Sequence, residues 1–192
     1  MPVWAKITDG SLVAAEGKMK SIKFSLVILM CVMTLSGVSV FAQEEEVFAR
    51  PTVDYSFTLP EKKWKLTVEP SATSPNVEYV YGDRFDGHLE VRKLTIPKDS
   101  IMTDVVQDEE QKLQFRPGFV SGKEENFSGK LKGAVYNFEY VAAGKNMSGR
   151  FYFLKANDTT VYILRFSGQK DSLRGLRNQT DSIARTFGVK AG

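Results

Sequence analysis

The sequence is poor in the side chains that most catalytic and metal sites require. Its 192 residues contain one cysteine, Cys31, and one histidine, His88. A single thiol cannot form an intrachain disulfide or a thiolate zinc site, and a single imidazole excludes multi-histidine centres. Glycine-rich phosphate loops and the Gly-x-Ser-x-Gly motif of serine hydrolases do not occur. We therefore predict no cofactor, no bound metal and no catalytic residue.

Residues 1–42 have the features of a signal peptide. The uncharged stretch 24–42 follows two lysines and precedes the acidic run 44–46. Its densely apolar part is shorter than the roughly 20 residues that a membrane-spanning helix needs. We therefore predict cleavage after Ala42 and export to the periplasm or the medium. An uncleaved N-terminal membrane anchor is the alternative.

The start of translation is open between Met1 and Met19. Residues 19–23 form a typical positively charged opening of a signal peptide. Residues 1–18 contain acidic side chains and glycines that are unusual at that place. If translation begins at Met19, residues 1–18 have no structural role.

The chain after residue 42 has almost no net charge. Removing the leader leaves 22 basic and 21 acidic residues and no cysteine. Positive and negative side chains alternate along this part, whereas a nucleic-acid-binding domain needs a concentrated basic surface. We therefore predict no nucleic-acid partner. About 150 residues are enough for one domain whose core needs no disulfide.

The hydrophobic pattern predicts two blocks of strands, each followed by a helix. Alternating apolar side chains predict strands in the first block at 53–59, 64–68, 76–81 and 88–96, with a hairpin turn at 82–87. The second block has strands at 119–127, 134–142, 149–155 and 159–167, and the helices lie at 99–115 and 171–187. Few strand–helix–strand units occur in this order, so we expect an α+β fold with a largely antiparallel sheet.

The last two predicted strands indicate a layered fold. Residues 151–154 and 161–164 are apolar at consecutive positions, so both sides of these strands require burial. A strand that is buried on both faces needs a layer of structure on each side of its sheet. The pattern therefore argues against a simple two-sheet sandwich.

Several segments together resemble the PsbP-like fold family. They are YSFTLP at 55–60 with Trp64 just beyond, the aromatic strands GRFYFL at 149–154 and VYILRF at 161–166, and the helical end ARTF at 184–187. The family includes the photosystem II extrinsic subunit, the eukaryotic Ran-binding Mog proteins and many exported bacterial PsbP-like proteins. The resemblance extends over nearly the whole chain after the leader.

This resemblance implies an α/β/α sandwich with a central antiparallel sheet and a C-terminal helix. We expect one PsbP-like globular domain at 53–189, preceded by a flexible leader at 43–52. For most members the resemblance implies binding or assembly support without catalysis. It transfers no site residue, because neither a metal-coordinating set nor a Ran-binding surface has a recognisable counterpart in this sequence.

His88 is one candidate site residue. It lies at the mouth of the predicted hairpin, near Asp83, Asp86 and Glu90. An imidazole beside carboxylates can form a metal or acid–base site. A lone histidine on a loop is more often a surface residue. His88 therefore anchors only the alternative that the protein is a carboxylate- or metal-dependent hydrolase.

Two tyrosines are the other candidates. Tyr79 and Tyr81 share one strand face and have no obvious apolar neighbours. We therefore expect them at a partly exposed binding edge. Other aromatic side chains, such as Phe151 and Phe166, follow the strand periodicity and are assigned to the core.

The first predicted helix carries four acidic side chains, which are Asp104, Asp108, Glu109 and Glu110. Their spacing differs from the Asp-x-Asp-x-Asp-Gly arrangement that wraps a loop around calcium. A charged stripe on an amphipathic helix usually faces water. We therefore expect these carboxylates on the exposed face of the helix.

The sequence favours an exported, non-catalytic binding or accessory protein that supports assembly. The signal peptide, the missing catalytic motifs and the nearly neutral chain after residue 42 support this hypothesis. The partner would be a protein or a small ligand outside the cytoplasm, and membrane contact would occur only through an uncleaved signal segment. A hydrolase with a site near His88 and a structural component of an envelope complex are the alternatives.

Overall fold

A computed structural model describes residues 45–190 of the chain. A boundary between two units falls after Ala42, and the described residues belong to the second unit, Gln43–Gly192. The predicted signal peptide, its cleavage point and the alternative start at Met19 lie outside the described residues. Within 45–190, no helix is both long and apolar enough to span a bilayer.

Ten strands and three helices make up the described residues. The first five strands are β1 (Glu46–Ala49), β2 (Tyr55–Leu59), β3 (Trp64–Val68), β4 (Val77–Tyr81) and β5 (Gly87–Thr95). Helix α1 (Met102–Leu113) is followed by β6 (Val120–Ser128), β7 (Lys132–Ala142), β8 (Lys145–Asn157) and β9 (Thr160–Gln169). The last elements are α2 (Lys170–Gly175), α3 (Arg177–Thr186) and β10 (Gly188–Val189).

The strands form a large and a small sheet. Seven strands make the large sheet in the order β3-β4-β5-β9-β8-β7-β6, and the small sheet has the order β1-β2-β10. The strand pairings in both sheets are antiparallel. The α+β fold with a largely antiparallel sheet is therefore confirmed.

Two apolar cores lie on opposite faces of the large sheet. On one side, which we call the α1 face, Val106 of α1 belongs to the same core as Ile163 of β9. On the other side, which we call the α3 face, Ile183 of α3 and Phe57 of the small sheet share a core with Leu164. Helices on both faces of a central sheet give the α/β/α layers that the sequence predicts, with helical structure near the C-terminus.

The central strands β8 and β9 are buried on both sides. Phe151 and Phe153 lie in the core of the α1 face, while Tyr152 and Leu154 lie in the core of the α3 face. Consecutive residues of a strand point to opposite faces. The continuous apolar run in the sequence therefore predicted this double burial correctly.

Strand β1 contradicts the flexible leader expected at 43–52. Phe48 is 1% exposed, and its ring stacks on Phe57 with the centroids 4.8 Å apart. β1 also pairs with β2 in register. The acidic residues 44–46 are typical of an exposed segment, so the local pattern does not predict this strand. Its burial depends on pairing with β2 and on one aromatic side chain, Phe48.

The helix predicted at 171–187 is interrupted at Leu176. This residue separates α2 from α3 and has a φ of −87° and a ψ of 3°. Asp171 lies within the first turn of α2. After α3, Gly188 begins β10 and pairs with β2.

Candidate functional site

An open cleft of about 270 Å³ lies on the α1 face of the large sheet. Its lining residues are Arg84, His88, Glu90, Arg92, Arg116, Phe138, Tyr140, Phe151, Arg165 and Ser167. We call this cleft the arginine cleft, because four guanidinium groups and one carboxylate line it. It contains His88, one of the site residues that the sequence suggested.

The register of β5 and β9 brings most of the polar lining together. His88 pairs with Ser167, and Glu90 pairs with Arg165. Alternate residues of a strand share a face, so Arg92 projects on the same side as His88 and Glu90. The residues of β5 are more than 70 positions away in sequence from their partners in β9, as the contact between Arg165 and Glu90 shows.

Arg165 is largely enclosed between the sheet and α1. Its Nη1 donates to Glu90 Oε2 at 3.4 Å, and its Nη2 donates to Glu109 Oε2 at 2.9 Å. Its guanidinium carbon lies 4.9 Å from the centre of the Phe151 ring. Burial lowers the pKa of Arg165, while the charges of Glu109 and Glu90 act in the opposite direction.

The Nε of Arg165 is buried and has no hydrogen-bond partner among residues 45–190. Leaving such a donor unpaired costs about 1–3 kcal/mol. Unsatisfied buried donors are rare in folded proteins and therefore draw attention to a site. The two ion pairs offset this cost and keep the guanidinium at the cleft.

Glu109 corrects the expectation that the acidic side chains of α1 face water. It is buried, and its two carboxylate oxygens accept from Lys112 and Arg165. Helical periodicity alone places a glutamate on the polar face, because the pattern does not show which charged group faces α1 from the sheet. An arginine in a strand that needs burial on both faces is the signal that could have found this pair.

The carboxylates at the arginine cleft are already engaged by cations. Glu78 contacts Arg84 and His88, and Glu90 contacts Arg92 and Arg165. Glu109 and its partner Lys112 belong to the same network of charges. The basic side chains are then Arg84, Arg92, Lys112, Arg116 and Arg165, and the carboxylates are Glu78, Glu90 and Glu109. Five positive and three negative charges leave a surplus of two positive charges. A nearly neutral chain thus has a locally positive concave surface.

Arg116 is the most available of these cations. It is exposed and lies in the turn after α1. Two backbone hydrogen bonds close this turn, one from Arg116 N to Leu113 O and one from Phe119 N to Arg116 O. Its guanidinium carbon lies 4.6 Å from the centre of the Tyr140 ring. No carboxylate within the described part of the chain forms an ion pair with it.

His88 is buried, with 8% of its surface exposed, so the expectation of a surface residue is wrong. Its Nε2 lies 2.9 Å from Glu78 Oε2 on the neighbouring strand. Of the carboxylates that the sequence placed near it, Asp83 instead accepts from the backbone N–H groups of Phe85 and Asp86 and thereby caps the turn before β5.

One imidazole–carboxylate pair, His88 with Glu78, is available to the hydrolase alternative at this cleft. Ser167 lies opposite His88 in the strand register, but no hydrogen bond joins the two side chains. Nucleophilic catalysis requires a base in contact with the hydroxyl. Within 45–190, no three His, Cys, Asp or Glu side chains are close enough to hold a metal ion.

The two tyrosine candidates have different environments. Tyr79 is 2% exposed and packs edge-on against Phe48 and Phe57, and burial raises its pKa to about 12. Its expected exposure is therefore wrong. Tyr81 is half-buried, as expected, and its hydroxyl donates to Glu61 Oε2 at 2.8 Å. Neither ring lines the arginine cleft.

A second and larger cleft, of about 450 Å³, lies on the α3 face beside β6. Its centre is Arg150, whose Nε, Nη1 and Nη2 donate to Tyr152, Asn137 and Asp181. Its basic lining residues are Arg150, Lys170, Arg174 and Arg177. Acidic groups match them in number, since Glu139, Asp171 and Asp181 form ion pairs there and Glu125 lines the wall. The larger cleft therefore has no charge surplus.

The architecture is similar to that of several proteins of known structure. No protein-family model matches the chain, and no curated protein sequence matches it. Among solved structures, cyanobacterial PsbP (CyanoP) from Synechocystis sp. is 17% identical, with 80% of this chain and 96% of that chain aligned at a TM-score of 0.52. The chain has the PsbP-like fold.

Two further solved structures are similar to this PsbP-like chain. The Ran-binding protein Mog1p of Saccharomyces cerevisiae is 10% identical over 77% of this chain and 96% of its own, with a TM-score of 0.56. LpqN of Mycobacterium tuberculosis, described as involved in cell envelope biogenesis, is 19% identical over 77% of this chain and 91% of its own, with a TM-score of 0.51. The PsbP-like resemblance of the sequence is thus confirmed for the fold.

Proposed function

We propose that this protein is an exported, non-catalytic binding or accessory protein of the PsbP-like type. It uses the arginine cleft to bind an anionic ligand or an acidic part of a protein partner outside the cytoplasm. The observation that carries the proposal is the surplus of basic side chains in one concave site of a nearly neutral chain. Clefts lined by one sign of charge concentrate ligands of the opposite sign.

The names of the structural neighbours support a binding or accessory role. Mog1p is described as a Ran-binding protein, and LpqN is described by its involvement in cell envelope biogenesis. Neither description nor that of cyanobacterial PsbP names an enzymatic activity. A shared fold is weak support for function by itself, so the charge of the cleft carries the greater weight.

The groups in the arginine cleft suit binding better than catalysis. A general base needs a free carboxylate or imidazole within reach of the reacting proton. Here Glu90 accepts from Arg92 and Arg165. Glu78 forms an ion pair with Arg84 and lies within hydrogen-bond distance of His88. Guanidinium groups do not exchange protons at neutral pH, but they hold oxyanions with two parallel hydrogen bonds.

The export part of the proposal is tested with the full chain carrying a C-terminal tag. We expect a Gram-negative host to deliver the protein to the periplasm with Gln43 as its first residue. Fractionation and N-terminal sequencing measure both points. A protein that stays in the cytoplasm contradicts export, and an exported but unprocessed chain in the membrane fraction supports the anchored alternative.

The binding part is tested by site-specific photocrosslinking. A photoreactive amino acid replaces Phe115, the exposed neighbour of Arg116, so that the cations of the arginine cleft stay in place. The control carries it at Arg174, an exposed arginine on the opposite face. We expect a discrete adduct in the envelope fraction from position 115 and none from position 174. Equal labelling from both positions, or no adduct from either, would contradict the assigned binding surface.

A further inference from the structure

The side chains of the arginine cleft offer a ligand mainly hydrogen-bond donors. Guanidinium groups donate and cannot accept. The carboxylate in the lining, Glu90, already accepts from Arg92 on Oε1 and from Arg165 on Oε2. A ligand that donates hydrogen bonds, such as an amine, would have to displace one of these ion pairs. The cleft therefore selects ligands that accept.

The donors come from separate segments of the chain. Arg84 lies in the turn before β5, Arg92 in β5, Arg165 in β9 and Arg116 in the turn after α1. Ser167 adds a hydroxyl that has no hydrogen-bond partner within residues 45–190. Donors from several directions suit a tetrahedral oxyanion, because a planar carboxylate accepts in one plane only.

We propose that the arginine cleft binds a phosphate group, either as free inorganic phosphate or as the phosphate ester of an anionic lipid headgroup. This inference rests on the proposed function, because it names the ligand class of the same cleft. A volume of about 270 Å³ accommodates the phosphate group and part of what carries it. The positive surplus compensates the charge of the ligand.

The first experiment is calorimetric titration of the purified protein with inorganic phosphate at low salt. We expect saturable binding that weakens as salt is added, because the cleft is open to screening ions. Arg116→Gln removes the cation that has no carboxylate partner in the described residues. It should weaken phosphate binding at least about tenfold, the loss expected for one charge-assisted hydrogen bond.

Arg174→Gln is the matched control, since it removes an exposed arginine from the opposite face. We expect it to bind phosphate as the unmodified protein does. Both variants change exposed side chains, and circular dichroism checks that each is folded. Wild-type affinity in Arg116→Gln, or an equal loss in both variants, would overturn the proposal. Acetate that binds as tightly as phosphate would overturn the assignment to a tetrahedral group.

Vesicles distinguish the two sources of the phosphate group. We compare vesicles that contain phosphatidylglycerol with vesicles of phosphatidylcholine alone, whose choline group neutralises the phosphate. Binding that needs phosphatidylglycerol and Arg116 identifies a lipid headgroup, whereas binding of inorganic phosphate without vesicle binding identifies the free ion. No binding in either arm overturns the proposal.

This result is separable from the proposed function. If position 115 crosslinks to an envelope component but no phosphate binds, the ligand class is wrong and the binding surface stands. If phosphate binds but the chain is not exported, the ligand class stands and the proposed location is wrong.

Discussion

Two arginines in the centre of the large sheet connect it to the helices that cover it. Arg150 on the α3 face donates to Asp181 of α3, and Arg165 on the α1 face donates to Glu109 of α1. Breaking a largely buried ion pair by removing one partner costs about 3–5 kcal/mol, because the other charge stays desolvated. Each arginine therefore fixes the position of one helix, and Arg165 also fixes one wall of the arginine cleft.

Asp54 allows a test of stability against pH. Burial by itself would raise its pKa, but hydrogen bonds from Lys93 and Tyr162, both at 2.6 Å, and the charge of Lys93 lower it below the model-compound value of 3.8. A lowered carboxyl pKa stabilises the folded state above the unfolded-state pKa. This contribution is lost as the pH falls through the folded-state pKa.

We therefore expect Asp54→Asn to be less stable than the unmodified protein at neutral pH, by at most about 1 kcal/mol because the ion pair is partly exposed and screened. The difference should shrink as the pH falls below 3.8. Urea unfolding over a pH series measures it. Asp171→Asn, at an exposed pair on α2, is the control. A difference that is independent of pH contradicts the role given to the Asp54 carboxylate.

At the scale of elements, β1 belongs to the folded domain although the sequence suggests a flexible leader. Phe48 contributes most of its burial, with ring contacts to Tyr55, Phe57 and Tyr79. Its neighbour Val47 is 65% exposed. Substitutions at Phe48 and Val47 therefore distinguish the stability that comes from burial of a side chain from the stability that comes from pairing of β1 with β2.

We expect Phe48→Ala to lower the free energy of unfolding by about 3–5 kcal/mol, the usual cost of removing a buried phenyl ring. Val47→Ala is the matched control, and it should change that free energy by no more than about 0.5 kcal/mol. Urea unfolding followed by circular dichroism measures both. If Phe48→Ala is as stable as Val47→Ala, β1 does not contribute to the core.

At the scale of the whole molecule, one sheet carries both cores. β8 and β9 supply side chains to both cores. If these two strands unfold, both cores therefore lose their packing together. We expect the chain from Gln43 onward to unfold in one cooperative transition, as single domains of this size usually do.

Trp64 allows this cooperativity to be measured. In a chain that begins at Gln43 it is the only tryptophan, and it lies in the core of the α3 face. We expect its fluorescence and the far-ultraviolet circular dichroism to change over the same range of urea. A fluorescence transition that precedes the circular dichroism transition would show that the α3 face unfolds independently.

The strand and helix periodicities could be predicted because they are local. Eight of the strands and the region of α1 lie close to the predicted ranges. The burial of Tyr79 could not be predicted, because it depends on Phe48 and Phe57 in strands of the other sheet. The buried position of Glu109 depends in the same way on Arg165, which is 56 positions away.

The sequence by itself determined the alternation of strands and helices, the double burial of β8 and β9, and an antiparallel α+β fold. Side-chain periodicity carries this information, since each residue reports the face of its own element. Only the tertiary structure decided that β1 joins the small sheet and that four arginines converge on one cleft. Strand register brings distant charges together, and a linear pattern of nearly balanced charge contains no record of which charges meet.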